Sequence, residues 1–413
     1  MVPPQSMLTL SLVPLSLLAL APRLGLCDDS SDSDSSSNST ATPNLKQNSN
    51  NCSCYAIGSG SSNSSEFFSY HRFYDFRSLA TSADQFTTPD PVSDDEDQGT
   101  EGVVADDAGY LNSTGFMDDW EIQNWSTNAS ADFPVRMVNT ARNIYISDDT
   151  GNTDIEYPTY LTMRTVRLAD FSSASEMQNN QQNMMHASVR MRARVVGASG
   201  AVAGFFTYYD DDNEADIEIL TQYPSNQYEY TNQPSVSKDG NEITAATVNV
   251  TMPSSDAADD WTQWHDHRID WLPHRCNWYL DGRLVASNSY SVPRKPSGLV
   301  LNMWSNGGSW SGNMTEGDAA EFHVQWVQMV FNTSGPRGGP DAETKKMRRS
   351  ARLLEEREWP EEQLGTVCRV DGVKAVGYPE VAYVSMGGAA GLVAGHAVVW
   401  CVVAAVGALL AWS

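Results

Sequence analysis

The chain has 413 residues and a formal net charge of −26 at pH 7. Its length allows two domains, or one large domain with extensions at both ends. The strong negative charge argues against nucleic acid and anionic lipid surfaces as partners, because both require a basic binding face.

The N-terminal 65 residues are predicted to lie outside the folded domain. Residues 1–26 contain the apolar run MLTLSLVPLSLLALA, which is typical of the core of a secretory signal peptide, although no Lys or Arg precedes it. Residues 27–65 form a low-complexity segment rich in Ser, Asp and Asn. Because residues 28–51 of this segment have almost no apolar surface to bury, we expect them to be disordered.

Potential N-glycosylation sites support passage through the secretory pathway. Nine N-x-S/T sequons are spread along the chain, as expected of a glycosylated surface. They are Asn38, Asn51, Asn63, Asn112, Asn124, Asn128, Asn249, Asn313 and Asn332.

Four of the six cysteines are disulfide candidates, namely Cys52, Cys54, Cys276 and Cys368. An even number in an oxidising compartment predicts disulfides, with three possible pairings. Cys52 and Cys54 are separated by one residue and rarely bridge each other without strain, so we expect them to bond to Cys276 and Cys368. A zinc site is the alternative, but no second ligand pair has the required spacing.

Residues 66–334 have the periodicity of β-strands, with an acidic insert near residues 87–102. The segment ASVRMRARVV alternates apolar and basic residues, as a half-buried strand does, and Asp281-Gly282 is a strong hairpin signal. No amphipathic helix of three turns is evident. Many short strands predict one all-β domain, an antiparallel sandwich or jelly roll.

One acidic segment within this domain is a candidate catalytic row. In a strand, Glu214, Asp216 and Glu218 share one face, while Ala215 and Ile217 point into the core. A solvated acidic face is the simpler interpretation. However, three carboxylates on one sheet face repel one another, which favours a function for the row.

The spacing of the row is compatible with glycoside hydrolysis. At about 3.3 Å per residue, the Cα atoms of Glu214 and Glu218 lie about 13 Å apart, and side chains leaning together reduce the gap to about 6 Å. Retaining glycosidases hold two carboxyl groups about 5–5.5 Å apart, so the spacing favours retention. Asp216 is placed to share a proton between them. A calcium site is less fitting, since its ligands usually come from a curved loop, and we expect no cofactor or metal.

Tryptophans supply candidate sugar-binding surfaces in the same region. Nine of them lie between Trp120 and Trp326, and pyranose rings stack on flat apolar faces. Any single tryptophan could equally be a core residue, because this residue type is largely buried wherever it occurs.

The C-terminal part is predicted to attach the domain to a membrane. Residues 335–383 have the composition of a charged linker, and residues 384–413 are almost entirely apolar. A single transmembrane helix would fit this length, but no Lys or Arg follows it. Small residues followed by a terminal apolar block favour a lipid-anchor signal. The predicted localisation is therefore the cell surface or cell wall.

Three blocks in order resemble family 16 glycoside hydrolases, and the secreted fungal branch in particular. The blocks are GAVAGFFTYYDDDNEADIEIL, WHDHRIDWLPHRCNWYLDGRLV and LVLNMWSNGGSWSG, accompanied by YLTMRT and YTNQPS. The resemblance covers about Phe67 to Asn332. It implies a concanavalin A-like β-jelly roll with a long cleft, retaining chemistry, and cell-wall β-glucan or a related polysaccharide as substrate.

The resemblance also implies roles for individual residues. Glu214 would be the nucleophile, Asp216 the assisting carboxylate and Glu218 the general acid/base. The substrate-binding candidates are Trp264, His267, Asn302, Trp304 and Trp310. Two departures from the family pattern are Ala215, which replaces a bulkier residue, and His267, which stands where many relatives carry Tyr.

Three functions are compatible with this sequence. The first is an endo-acting hydrolase of β-1,3 or mixed-linkage glucan. The second is a cell-wall polysaccharide transglycosylase that passes the same intermediate to a sugar. The third is a non-catalytic carbohydrate-binding wall protein, which a lost carboxylate in the row would have favoured.

Overall fold

The computed structural model describes residues 52, 54–58, 65–79, 86–93, 109–149, 157–253, 260–334, 366–386 and 389–392. The predicted signal peptide, most of the low-complexity segment, much of the acidic insert, most of the linker and most of the apolar tail lie outside these residues. In the described part of the chain, no helix is long and apolar enough to cross a membrane.

Almost all of the regular secondary structure in the described residues is β-strand. In chain order the strands are β1 (Cys54–Gly58), β2 (Ser65–Phe68), β3 (Tyr70–Asp75), β4 (Trp120–Ile122), β5 (Ser126–Thr127), β6 (Arg136–Asn139), β7 (Ile144–Asp148), β8 (Thr159–Arg167), β9 (Phe171–Asn179), β10 (Met184–Gly197), β11 (Val202–Asp210), β12 (Asn213–Leu220), β13 (Gln227–Asn232), β14 (Thr247–Thr251), β15 (His265–Leu272), β16 (Arg275–Leu280), β17 (Arg283–Asn288), β18 (Gly298–Trp304), β19 (Ala319–Thr333), β20 (Thr366–Arg369), β21 (Glu380–Met386) and β22 (Ala389–Leu392). A short helix α1 (Thr114–Asp119) and a 3-10 turn (Ala141–Asn143) complete the elements.

Two large sheets form the domain. The front sheet has the order β14-β13-β12-β11-β18-β9-β4, and all its pairings are antiparallel. The back sheet runs β17-β16-β15-β10-β19, and β19 then pairs with β8 and β3 along different parts of its length. The first half of β9 also pairs with β6 and β8, which joins the two sheets. The predicted all-β, concanavalin A-like jelly-roll sandwich is confirmed.

Alternating side chains from both sheets fill the space between them. Ala215, Ile217 and Ile219 of β12 belong to the main core cluster, as do Val189 and Met191 of β10. Removing each such aliphatic side chain from water stabilises the fold by about 1.5–3 kcal/mol. The opposite faces of β10 and β12 remain free for the basic and acidic side chains that the sequence alternation predicted.

The two ends of the described chain form a small third sheet on the back of the sandwich. Its order is β2-β1-β20-β21-β22, in which β1 and β20 pair in parallel. A disulfide between Cys52 and Cys368 links its two halves across 316 residues of sequence. Asp371 Oδ1 lies 2.5 Å from Arg190 Nη1, which ties the small sheet to β10.

These strands differ from the expectation that residues 335–383 form a charged linker throughout. Val367 and Cys368 are buried, and Cys368 packs in one cluster with Tyr55 of β1 and Val330 of β19. The short strand β20 is stabilised by partners that lie far away in sequence, so local composition gave no indication of it.

The disulfide prediction was correct for Cys52 and Cys368 and wrong for Cys276. Cys54 is also disulfide-bonded. Cys276 is free and fully buried on β16. It shares the core-facing side of that strand with Trp278 and Leu280, so its thiol points away from the small sheet that holds the other cysteines.

Candidate active site

The acidic row lies on the outer face of the front sheet. Glu214, Asp216 and Glu218 alternate along β12 with residues of the core cluster, so the predicted common face is present. Asp216 is only 1% exposed, whereas the two glutamates are half-buried. The row therefore has a buried centre and two more accessible ends.

Residues of the neighbouring strands extend this row sideways across the sheet. The register pairs Glu229 with Glu218, Glu218 with Gly204, Gly204 with Asn302, and Asn302 with Glu176. We refer to these five residues as the cross-strand row. A Cβ atom at Gly204 would lie 2.5 Å from Asn302 Oδ1, so glycine makes room for the Asn302 amide beside Glu218.

Neutral side chains bond to the carboxylates of this face. Gln233 Nε2 donates to Asp216 Oδ2 at 3.1 Å, and the backbone N–H of Gln233 donates to the carbonyl of Glu214 at 3.0 Å. Glu176 Oε1 accepts bonds from Gln178 Nε2 at 2.8 Å and from Trp125 Nε1 at 3.3 Å. Across the described part of the chain, no salt bridge involves any of these carboxylates.

Among the described residues, no cation lies beside the acidic row to stabilise its charged form. Burial and neighbouring carboxylates therefore raise the pKa of all three of its carboxyl groups. Burial raises the pKa of Glu214 to about 7, and the charges of Asp211 and Glu176 add to the rise. Burial and the charges of Glu214 and Glu229 raise the pKa of Glu218 to about 8. Burial, together with both neighbouring glutamates, raises the pKa of Asp216 well above its usual range.

These raised pKa values give the two outer glutamates access to both protonation states. Because the values lie at about 7 and about 8, one glutamate can be ionised while the other is protonated near neutral pH. A carboxylate and a carboxylic acid on one sheet face are the two groups that retaining glycoside cleavage requires.

Two adjoining cavities lie along this face. The first, of about 290 Å³, extends from the cross-strand row past Trp304; the second, of about 350 Å³, extends past Glu214. The first is lined by Trp125, Thr127, Asn128, Phe133, Val135, Met137, Asn139, Glu176, Asn302, Trp304 and Asn306. The second is lined by Trp125, Glu176, Gln178, Phe206, Tyr208, Glu214 and Val300.

An unpaired acceptor in the cleft indicates a polar ligand. Asn302 Oδ1 is buried on a residue that lines the first cavity, and it has no hydrogen-bond partner among the described residues. A buried acceptor without a donor costs about 1–3 kcal/mol, which a ligand hydroxyl would recover.

Three of the five predicted substrate-binding residues lie at this cleft. Asn302 and Trp304 line the first cavity. Trp310 packs against Trp304 with ring centroids 5.9 Å apart and is 38% exposed. Their roles in binding stay predictions, but the fold brings them together with the acidic row.

The structure contradicts the cleft positions predicted for His267 and Trp264. His267 is 1% exposed on β15 of the back sheet, where it shares the core-facing side with Ile269 and Trp271. Trp264 stacks with Arg194 of the back sheet. The guanidinium carbon of Arg194 lies 4.6 Å from the centroid of the indole ring. Strand parity therefore directs His267 into the core, and the sandwich separates Trp264 from the cleft.

Several cleft residues were not identified from the sequence. They include Trp125, Glu176, Gln178, Phe206, Tyr208 and Glu229. Alternation in FSSASEMQNN places Glu176 and Gln178 on one face of a strand, which was an available signal. Nothing local shows that this strand lies three places from β12 in the sheet.

A metal-binding arrangement is not found in the described part of the chain, where no group of three or more His, Cys, Asp or Glu residues could hold an ion.

Comparisons with known proteins agree with this geometry. Residues 134–328 match the profile "Glycosyl hydrolases family 16". A "Beta-glucanase" of Paenibacillus polymyxa is 28% identical over 145 residues, which cover 32% of this chain and 55% of that protein. "Congo red hypersensitive protein 1" of Saccharomyces cerevisiae is 24% identical over 166 residues, covering 36% of this chain and 30% of that protein.

Among solved structures, a Bacillus licheniformis β-glucanase is similar to this chain, with 19% sequence identity and a TM-score of 0.41. The match covers 52% of this chain and 92% of that one. The chain spans 16% and 55% of the length of the first two curated relatives that it matches. The predicted resemblance to family 16 is confirmed.

Proposed function

We propose that the chain is a retaining, endo-acting glycoside hydrolase of cell-wall β-glucan; residues 134–328, which match the profile of glycoside hydrolase family 16, support this proposal. The observation that carries the proposal is the acidic row itself: two half-buried glutamates flank a buried aspartate on one face, and burial raises the pKa values of both glutamates.

In the first step, the Glu214 carboxylate attacks the anomeric carbon of the sugar. As the new carbon–oxygen bond forms, the glycosidic carbon–oxygen bond breaks and Glu218 donates its proton to the departing oxygen. The products are a glycosyl-enzyme ester on Glu214 and a shortened polysaccharide. The resemblance to family 16 supports the assignment of Glu214 as the nucleophile.

In the second step, the Glu218 carboxylate removes a proton from water while the water oxygen attacks the same carbon. The ester bond breaks, Glu214 returns to its ionised form and Glu218 is protonated again. Two displacements at one carbon retain its configuration. Buried Asp216, with its raised pKa, is a proton donor positioned between the two glutamates throughout the cycle.

The lining of the cavities supports an uncharged glucan as the substrate. No Lys, Arg or His lines either cavity, while aromatic side chains occur in both. A sulfated or carboxylated polysaccharide would meet buried carboxylates without a compensating cation. The linkage is proposed as β-1,3 or mixed β-1,3-1,4.

Transglycosylation shares the first step and is a second candidate. Because the two cavities lie on either side of the cross-strand row, a sugar hydroxyl could occupy the place of the attacking water. The disulfide between Cys52 and Cys368 supports the proposed export to an oxidising compartment, and hence access to wall polysaccharide.

The test compares the full-length chain with its Glu214→Gln variant on a panel of β-glucans plus a labelled oligosaccharide acceptor. We expect new reducing ends from the wild type and none from the variant. Transfer of label into longer products would identify the transglycosylase, and binding without products from either protein would indicate a carbohydrate-binding protein.

A further inference from the structure

Two carboxylates face each other across neighbouring strands of the front sheet. Glu218 on β12 and Glu229 on β13 are register partners, and both alternate with core residues such as Ile217 and Tyr230. Directly opposed side chains have Cβ atoms about 4.5–5.5 Å apart, and like charges at such positions are destabilising. Glu229 is only 6% exposed, so water screens this repulsion weakly.

The carboxylate of Glu229 is held in place by a tryptophan of the cleft. Trp310 Nε1 donates a hydrogen bond to Glu229 Oε2 at 3.2 Å. The backbone carbonyl of Trp310 accepts a bond from Gln222, two residues beyond the end of β12. The Trp310 ring packs on Trp304, which lines the first cavity. One chain of contacts therefore connects the cleft wall to the Glu218 carboxyl.

We propose that Glu229 is a positioning residue whose charge keeps the neighbouring Glu218 carboxyl in the protonated form that the leaving sugar requires. The Trp310 hydrogen bond lowers the pKa of Glu229 against the effect of burial and fixes the side chain opposite Glu218. This inference rests on the proposed role of Glu218 as the acid/base.

Among the residues around Glu218, Glu229 is the charged group on a neighbouring strand that acts on its carboxyl group. The strand of Glu218 itself, β12, contributes Asp216 and Glu214. The β11 neighbour is Gly204, and β18 beyond it presents the neutral Asn302. Glu176 lies farther away on β9, and its charge acts on Glu214 rather than on Glu218.

The state of Glu229 follows from its contacts. Burial raises its pKa, the hydrogen bond from Trp310 lowers it, and the charge of Glu242 raises it. Removing the indole N–H would therefore favour neutral Glu229 and weaken its effect on Glu218.

The test is the titration of Glu218 in the full-length chain labelled with carboxyl-¹³C glutamate and followed by NMR. The Glu218 signal is assigned from its loss in E218Q. Glu229→Gln keeps the shape of the side chain and an acceptor for Trp310 but removes the charge. We expect the Glu218 midpoint to fall by about 1 pH unit, and the alkaline limb of kcat/KM to fall with it.

Glu176→Gln is the matched control, because Glu176 is another buried carboxylate of the cross-strand row that accepts an indole hydrogen bond. We expect it to leave the Glu218 midpoint in place. Trp310→Phe retains Glu229 and should lower the midpoint by a smaller amount, so it tests the same link should Glu229→Gln fail to fold.

An unchanged Glu218 midpoint in folded Glu229→Gln, or an equal fall in Glu176→Gln, would overturn the proposal. The NMR titration needs no turnover. A wild type without activity whose Glu218 midpoint still falls in Glu229→Gln would therefore refute the proposed hydrolase while supporting the interaction between the two carboxylates.

Discussion

The front and back sheets treat their charged side chains in opposite ways. On the back sheet, Arg268 forms a 2.6 Å ion pair with buried Asp270. Burial alone would raise the pKa of Asp371, but Arg190 and Arg268 hold it below its usual range. On the front sheet, five acidic groups have no cation partner among the described residues, and each has a raised pKa.

This difference distinguishes charged residues that contribute to the fold from carboxylates that are candidates for catalysis. A buried ion pair contributes to the fold only when both partners are present. A cluster of unpaired carboxylates opposes folding, so its presence favours a function that requires a proton shared at neutral pH. The same alternating strand pattern produces both faces, and only the partners supplied by neighbouring strands distinguish them.

The largest expected effect comes from removing the acid/base of the front sheet. Glu218→Gln should lower kcat on β-glucan by about 10³-fold, because general acid–base catalysis contributes about 10²–10⁴-fold. Aryl glycosides whose leaving group needs no proton should lose far less in the first step. Steady-state kcat/KM, which reports the first step, would measure this on both substrate types, and equal losses of kcat/KM would contradict the assignment.

Breaking an ion pair of the back sheet should instead affect stability. Asp371→Asn leaves the largely buried Arg190 without its carboxylate and should lower the free energy of unfolding by about 3 kcal/mol, with kcat unchanged per folded molecule. Glu380→Gln removes a solvent-exposed pair with Arg369 and serves as the control, with a much smaller expected loss because water screens this pair. Urea unfolding would measure both, and comparable losses would refute the distinction.

The two faces also predict opposite responses to pH. The raised pKa values of Glu214 and Glu218 mean that their destabilising effect is absent below the ordinary value of 4.5 and grows as pH rises to about 8. The free energy of unfolding should fall by about 2 kcal/mol over this range, a value reduced from full linkage because both side chains are partly exposed.

The double variant Glu214→Gln/Glu218→Gln should flatten this dependence in urea titrations at each pH. Below pH 4.5 the lowered pKa of Asp371 acts in the other direction, because protonation of Asp371 removes its ion pairs and stability is lost as pH falls. If the free energy of unfolding of the double variant fell with pH as steeply as that of the wild type, the acidic row would not be the cause of the pH dependence.

The smallest effect concerns sugar binding. Trp304→Ala should raise KM for soluble β-glucan about 10-fold, because a stacking surface of about 1.4 kcal/mol is removed from the cleft. Trp264→Ala on the back sheet is the matched control and should leave KM unchanged. If KM increased for Trp264→Ala and not for Trp304→Ala, the proposed binding of the substrate on the front sheet would be wrong.

Strand periodicity was enough to predict the fold class and the acidic row, because both depend on alternation within one segment. The same rule applied to HDHRIDWL would have placed His267 beside Ile269 and Trp271 in the core, so that error came from the family pattern rather than from missing information. The positions of Glu176 and Glu229 could not be predicted, because they depend on which strands become neighbours of β11, β12 and β18.

The central claim is that Glu214 and Glu218 cleave β-glucan with retention through an ester on Glu214. The most direct measurement is ¹H NMR of the first product formed by the full-length chain, before mutarotation, with Glu214→Gln in parallel. Retention through an ester on Glu214 predicts that the β-anomer appears first and only with the wild type. An initial α-anomer, or equal turnover by Glu214→Gln, would contradict it.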